Sequence, residues 1–163
     1  MNYPKKQISD KIVELYEKNR FLLKSDHMSD TEKARYISFL ENPMKEDISF
    51  KLNEMSNYLS RYYGKKVIIL LDEYDTPMQE AYTNGYWEEL VALTRSLFNS
   101  AFKTNPYLER AIMTGITRVS KESIFSDLNN LVVVTTTSKQ YETAFGFTEQ
   151  EVFNALDEFG FSD

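Results

Sequence analysis

Asp72 and Glu73 directly follow Val67 to Leu71, five apolar residues in a row, within "KKVIILLDEYDTP". Paired carboxylates at the end of a short β-type run suit phosphate chemistry. One can hold Mg²⁺, a hard ion that keeps several waters and asks the protein for only one or two oxygens, and the other can orient or deprotonate an attacking water. On this reading Asp72 binds and Glu73 activates. The competing reading is structural: a chain leaving a strand meets solvent, and a carboxylate there can cap the amides of the next turn. Asp75 falls on the structural side, because it lies just ahead of Thr76, the expected N-cap of a helix, where negative charge is favourable. Asp72 and Asp75 make a weak nuclease candidate, since no Glu-x-Lys or Asp-x-Lys tripeptide accompanies them.

Gripping phosphates asks for more than carboxylates. A phosphate-binding loop reads G-x-x-x-x-G-K followed by Ser or Thr, so that backbone amides can approach the anion and a lysine can neutralise it. The five glycines are Gly64, Gly85, Gly115, Gly146 and Gly160, and only Gly64 is followed by lysine. Leu59 occupies the position of the first loop glycine and Lys66 that of the Ser or Thr, so the 163 residues do not contain the motif.

The elements that must position the acidic pair follow from periodicity. Ile8, Ile12, Leu15, Tyr16, Leu22 and Leu23 trace one amphipathic helix, and "SDTEKARYISFLEN" opens a second with Ser29 and Glu32 in capping-box register. Ile48, Leu52, Met55, Leu59 and Tyr62 mark a third, closed by Gly64. Val67 to Leu71 then reads as a strand covered on both faces. Thr76 as N-cap, Pro77 at the first helical position and Gln79 restart a helix that Asn84-Gly85 breaks, and Trp87 to Ala101 carries a longer one to Asn105-Pro106. Glu109 to Gly115 and Asn130 to Ser138 ("NLVVVTTTS") are the next strands. Phe147, Thr148, Glu151 and Val152 combine a hydrophobic staple with a capping box at the start of a last helix ended by Gly160. Strands alternating with helices predict an α/β protein, a parallel sheet flanked by helices. In such a sheet ligands bind beyond the carboxyl ends of the strands, where Asp72 and Glu73 stand.

Composition narrows the classes. The length suits one domain, with a helical part over about 1–64 and the strand region over 65–163. A net charge of −6 disfavours a phosphate backbone as partner, so nucleic acid is not expected. Absence of cysteine excludes disulfides and thiolate chemistry, and the single His27, in a polar connection, reads as solvated rather than as a zinc ligand. No apolar run approaches the roughly 20 residues of a membrane helix and the N-terminus lacks a secretory h-region, so a cytoplasmic protein without a membrane partner is expected.

The acidic strand end, "TGITR" and "SKESIFSDLNN", together with "FGFTEQEV", closely resemble the bacterial AAA-ATPase-like family, a branch of P-loop ATPases whose full-length members often add a nuclease-like domain. The resemblance implies a partial P-loop NTPase-type (AAA-like) domain without the P-loop strand. It makes Asp72 the Mg²⁺-coordinating carboxylate of a Walker B strand and Glu73 the water-activating one. Thr114 becomes a polar sensor at the next strand end and Arg118 a phosphate or interface arginine. A strand-end hydroxyl bonded to backbone and a surface charge remain the alternatives for these two. Mg²⁺ and ATP are the cofactors implied for full-length members, with none assigned to this chain. The sequence looks like the middle and end of the ATPase domain, so hydrolysis by the chain alone is not expected. The P-loop strand would lie between Glu109 to Gly115 and Leu131 to Thr137. Closing that gap calls for direct pairing of the Val132 and Ile112 strands, for self-association or for a strand from a partner. A non-catalytic interaction module on the same scaffold is the second reading.

Overall fold

The computed structural model describes residues 3–116, 125, 128 and 130–161. The chain divides into two units, Met1–Asn129 and Asn130–Asp163. Among the described residues no helix is long and apolar enough to cross a membrane.

The first unit is a helical cluster that carries a short parallel ribbon. Helix α1 (Tyr3–Lys18) packs on α2 (Asp30–Glu41), α3 (Lys51–Tyr63) and α5 (Trp87–Phe98). The apolar stripe expected to run unbroken to Leu23 ends at Lys18. Asn19 turns back, its side-chain amide donating to the Leu15 carbonyl at 2.8 Å, and a 3-10 turn, Arg20–Lys24, carries buried Leu22 onward. The chain therefore trades one long helix for a helix and a tighter turn, as a side chain competing for backbone partners near a helix end allows. Helix α2 starts as its residues predict: Ser29 Oγ accepts the Glu32 N–H while Glu32 accepts the Ser29 N–H. Helix α3 ends at Gly64, whose φ of 63° is left-handed.

The core is aromatic. Tyr16, Tyr36 and Phe39 are fully buried, with the Tyr16 ring 4.6 Å from Tyr36 and 4.8 Å, edge-on, from Phe39. Their polar ends are bonded: the Tyr36 hydroxyl donates to the Tyr16 carbonyl at 2.5 Å and the Tyr16 hydroxyl to the Lys51 carbonyl at 3.0 Å. Burial, and then the nearby Glu54 charge, push the Tyr16 phenol far above its ordinary range, and the same two causes push Tyr58 up to about 12. These hydroxyls therefore stay protonated donors at neutral pH. Lys51, only 4% exposed, is stabilised in this setting by Glu54 at 3.1 Å, Glu46 at 3.4 Å and the Phe39 ring face at 5.2 Å.

Two carboxylates tie this stability to pH. Burial raises the Glu32 pKa, but the Ser29 N–H and the Arg61 guanidinium, 2.8 Å away, outweigh it and hold the carboxyl below its ordinary 4.5. The Ser49 N–H does the same for Asp47, ordinarily 3.8, against a smaller effect of burial. A folded-state pKa below the unfolded one stabilises above the unfolded value and loses that stabilisation as pH falls through the folded one. Melting temperature is therefore expected to drop as pH falls past these two ordinary values. Glu32→Gln should lower the neutral-pH melting point and flatten the acid slope in thermal melts followed by circular dichroism.

Strands β1 (Val67–Leu71) and β2 (Leu108–Met113) pair in parallel, with Ile69 beside Ala111, Leu70 beside Ile112 and Leu71 beside Met113. Helices α4 (Thr76–Asn84) and α5 and a π-helical turn, Asn99–Lys103, connect them. Helix α4 ends at Gly85, with φ 77°. Along the inner face of α5, Leu90, Val91, Thr94, Leu97 and Phe98 are buried at helical spacing.

Three expectations are corrected here. Strand β1 is not covered on both faces: burial alternates along it, and Ile68 and Leu70 are 60% and 72% exposed, alongside Ile112 on β2. A continuous apolar run does not distinguish a doubly covered strand from one whose outer residues simply remain apolar. The N-cap of α4 is Asp75, one residue earlier than expected, and Thr76 is its first helical residue. Residues 131–135 form no strand, where one was expected over Asn130 to Ser138, and the sheet of the described residues consists of β1 and β2. The segment enters a local turn instead: the Ser138 N–H donates to the Thr135 carbonyl and the Thr135 N–H to Ser138 Oγ, both at 2.9 Å. β-Branched residues favour extended backbone, but a strand also needs a neighbour's amides and carbonyls.

The second unit contains helix α6 (Glu149–Glu158), opened by a capping box between Thr148 and Glu151. The Thr148 N–H, at 2.7 Å, holds the Glu151 carboxyl below its ordinary range. Phe145, Phe147, Phe159 and Phe161 of this unit are exposed.

Candidate functional site

The carboxyl ends of the two strands build the site. Parallel pairing brings both chain exits to one rim, and backbone bonds extend the ladder past the strands: the Thr114 N–H donates to the Leu71 carbonyl at 2.9 Å and the Tyr74 N–H to the Thr114 carbonyl at 3.1 Å. Residues 42 positions apart in sequence are thereby joined, because the Thr114 hydroxyl donates to Asp72 Oδ1. The same oxygen accepts the Glu73 N–H at 3.0 Å. Both Asp72 and Thr114 are exposed. A carboxylate offers about four acceptor positions, so two donors on Oδ1 leave capacity for a further ligand.

Glu73 bends the chain at this point. Its φ is 50°, in the left-handed region that a non-glycine residue enters at a cost of about 1–3 kcal/mol. That turn releases the chain from β1 and sends it into α4 within two residues. Such strain persists only where surrounding bonds over-determine it, and it concentrates at functional sites.

Asp75 fixes the rim from below. It is 2% exposed, and its Oδ2 accepts the Ile116 N–H at 3.2 Å and the Gln79 side-chain amide at 3.2 Å. One carboxylate thus ties the loop after β2 to the start of α4, a structural role different from the favourable helix-start charge expected for it. Gly115 allows the closeness: a Cβ there would lie 2.6 Å from Asp75 Oδ1 and 2.7 Å from Tyr74 Cε1. The Tyr74 ring is backed edge-on by Phe125 at 5.4 Å, and Phe125 in turn stacks on Phe98 at 5.9 Å. Gly115→Ala should therefore cost about 1–3 kcal/mol, the range for overpacking, read from the denaturation midpoint; an unchanged midpoint would show that the rim yields.

Of the four residues singled out from the sequence, the structure brings Asp72, Glu73 and Thr114 to one strand-end rim. Arg118 lies outside the described residues, as does most of "SKESIFSDLNN". Sequence reasoning missed the clamp made by Asp75 and Gly115 and the Phe125 anchor. The available signal was the Thr114-Gly115 pair itself, since glycine at a strand exit marks a close approach. Among the described residues no group of three or more His, Cys, Asp and Glu side chains is placed to hold a metal. Asp72, Glu73 and Thr114 offer the rim two carboxylates and one hydroxyl, all hard oxygens, which suits an ion that retains most of its water.

Helices around a short parallel ribbon, with an acidic and hydroxyl rim at its carboxyl end, define a mixed α/β protein. Residues 4–125 match the family model described as Predicted AAA-ATPase, and the chain belongs to that family. It is also similar to a protein of Azotobacter chroococcum mcd 1 titled "Uncharacterized protein in vnfD 5'region", with 32% identity over 90 residues, which is 55% of this chain and 17% of that protein. The matched stretch is thus a small part of that relative. No solved structure matches the chain.

Proposed function

We propose that the rim is the metal-holding and water-activating half of an ATP-hydrolysing site, a Walker B strand end, whose phosphate-gripping loop is not supplied by these 163 residues. The observation that supports this reading is the bond between Thr114 and Asp72, which joins two strand exits at the place where open α/β sheets bind ligands. Asp72 would hold Mg²⁺, with Thr114 beside it as the polar sensor. When bound, Mg²⁺ neutralises the charge on the phosphate oxygens and aligns them.

The protein groups have separate roles. Thr114 and the Glu73 N–H fix the Asp72 carboxylate, so its position costs no reorganisation on binding. Glu73 takes the proton of the attacking water on its carboxylate as the water oxygen bonds to the γ-phosphorus. The bond from that phosphorus to the bridging oxygen breaks, and ADP leaves with the electron pair. Asp75 and Gly115 position the turn on which Glu73 stands. Arg118 is proposed as the arginine that meets phosphate or a neighbouring subunit. A strand carrying the loop, from a partner or a second copy, would complete the ribbon beside β2. Without it the chain holds the cation and does not turn over ATP.

Titration with Mn²⁺, which takes the same oxygen donors and is visible by electron paramagnetic resonance, tests the reading. Asp72→Asn should weaken the tightest site about tenfold or more, about 1.4 kcal/mol, and Thr114→Val should weaken it less. Equal Mn²⁺ binding by wild type and Asp72→Asn would refute the assignment.

A further inference from the structure

Lysines and carboxylates flank β1 in mirror order. Outward from Ile69 the chain meets Ile68 and Leu70, then Val67 and Leu71, then Lys66 on one side and Asp72 on the other, and last Lys65 and Glu73. All four charged residues are exposed, and among the described residues no ion pair engages any of them. The ladder leaves one side of this strand open. The Val67 N–H donates to the Tyr107 carbonyl at 2.8 Å and the Leu71 carbonyl accepts the Thr114 N–H, so the odd-numbered residues of β1 turn their backbone groups toward β2. Alternation turns those of Ile68 and Leu70 to the opposite edge, where the sheet of the described residues has no third strand. The side chains of the same two residues are exposed, as is that of Ile112 beside Leu70.

An edge strand with unpaired amides and carbonyls is a template for another strand, and lysines at its end commonly keep one off. Here that protection holds only against a parallel copy, which sets Lys66 beside Lys66. Turned antiparallel, a second copy presents its Asp72 to Lys66 and its Lys66 to Asp72, while Ile68 exchanges both backbone bonds with Leu70 of that copy. A slip of two residues in either direction puts Asp72 opposite Ile68 or Lys66 opposite Leu70. Exposed ion pairs add little affinity, but they select orientation and register. We propose that β1 pairs edge to edge with β1 of a second copy, antiparallel and with Ile69 on the two-fold axis, so that two ribbons become one four-stranded sheet. Each contact is reciprocated, as a two-fold interface requires, and Ile68, Leu70 and Ile112 of both copies join into one apolar strip. The pairing uses the free edge of β1, whereas the loop strand proposed above lies beside β2, so it does not rest on the metal-site reading. Five residues make a small contact, and the association is therefore reversible and concentration dependent.

Sedimentation velocity of the intact 163-residue protein over a concentration series is expected to show a monomer and dimer in equilibrium. Lys66→Glu sets like charges opposite each other twice per dimer and should weaken it about tenfold or more. Asp72→Lys should do the same from the other side, and mixing the two variants should restore the dimer. Register is read separately, because the chain has no cysteine. Opposed Ile68 and Leu70 place their Cα atoms about 5.5 Å apart, within disulfide reach, while Ile68 and its own copy are diagonal neighbours about 7–8 Å apart. Under a mild oxidant, a mixture of Ile68→Cys and Leu70→Cys proteins, each with an unchanged circular dichroism spectrum, should form disulfide-linked dimer about fivefold faster than either variant alone. A monomer at every concentration, a dimer that ignores Lys66→Glu, or equal cross-linking by the mixture and the single variants would each overturn the proposal.

Discussion

Glu73→Gln is expected to lower phosphate release by about 10²–10⁴-fold, the usual range for loss of a general base, in a protein that carries this chain together with a phosphate-gripping loop. The amide keeps the size of the side chain and the backbone turn but does not accept a proton from water. Nucleotide affinity should survive, since the lost interaction belongs to the transition state rather than to binding. A companion variant separates chemistry from strain. Glu73 sits at φ 50°, and glycine enters that region without a Cβ penalty. Glu73→Gly should therefore raise the stability by about 1 kcal/mol, read from the denaturation midpoint, while abolishing turnover. A glycine variant that is both less stable and active would contradict both parts of the account.

Phe39→Ala is expected to destabilise the first unit by about 3–5 kcal/mol, the range for truncating a buried aromatic. Phe39 is fully buried, its ring meets Tyr16 edge-on, and its face carries the Lys51 ammonium. The truncation removes packing from the ring cluster and at the same time strips a partner from a buried charge. Against the roughly 5–15 kcal/mol of an ordinary domain, the loss is large enough to lower the urea midpoint by about a fifth or more. Phe39→Leu, which keeps most of the apolar volume, should recover over half of it. A Phe39→Ala midpoint within experimental scatter of wild type would show that the aromatic cluster does not hold the unit together.

What was readable in the sequence was local. The capping boxes at Ser29 and Thr148, the left-handed caps at Gly64 and Gly85, and the two strands ending near Leu71 and Met113 each announce themselves through a few neighbouring residues. What was not readable depended on a partner distant in the chain. "VVVTTT" has the propensity of a strand, yet it forms none and turns on Ser138 instead. The apolar run of β1 resembles a doubly covered strand, while only the structure shows Ile68 and Leu70 open. At the site the acidic pair was visible as a pattern, but the clamp beneath it was not. Asp75 reaching Ile116, and Gly115 leaving room for it, connect residues some 40 positions apart, a distance that periodicity does not span.

The proposed site stands on one carboxylate, Asp72, at one strand end. Crystals grown with Mn²⁺ and a non-hydrolysable ATP analogue, measured at the manganese edge, test it most directly. An anomalous peak is expected about 2.0–2.2 Å from an Asp72 carboxylate oxygen, the distance of a hard divalent ion from its oxygen ligands, and it should be lost in Asp72→Asn. Manganese bound elsewhere on the chain with Asp72 bare, or a peak that survives the substitution, would contradict it.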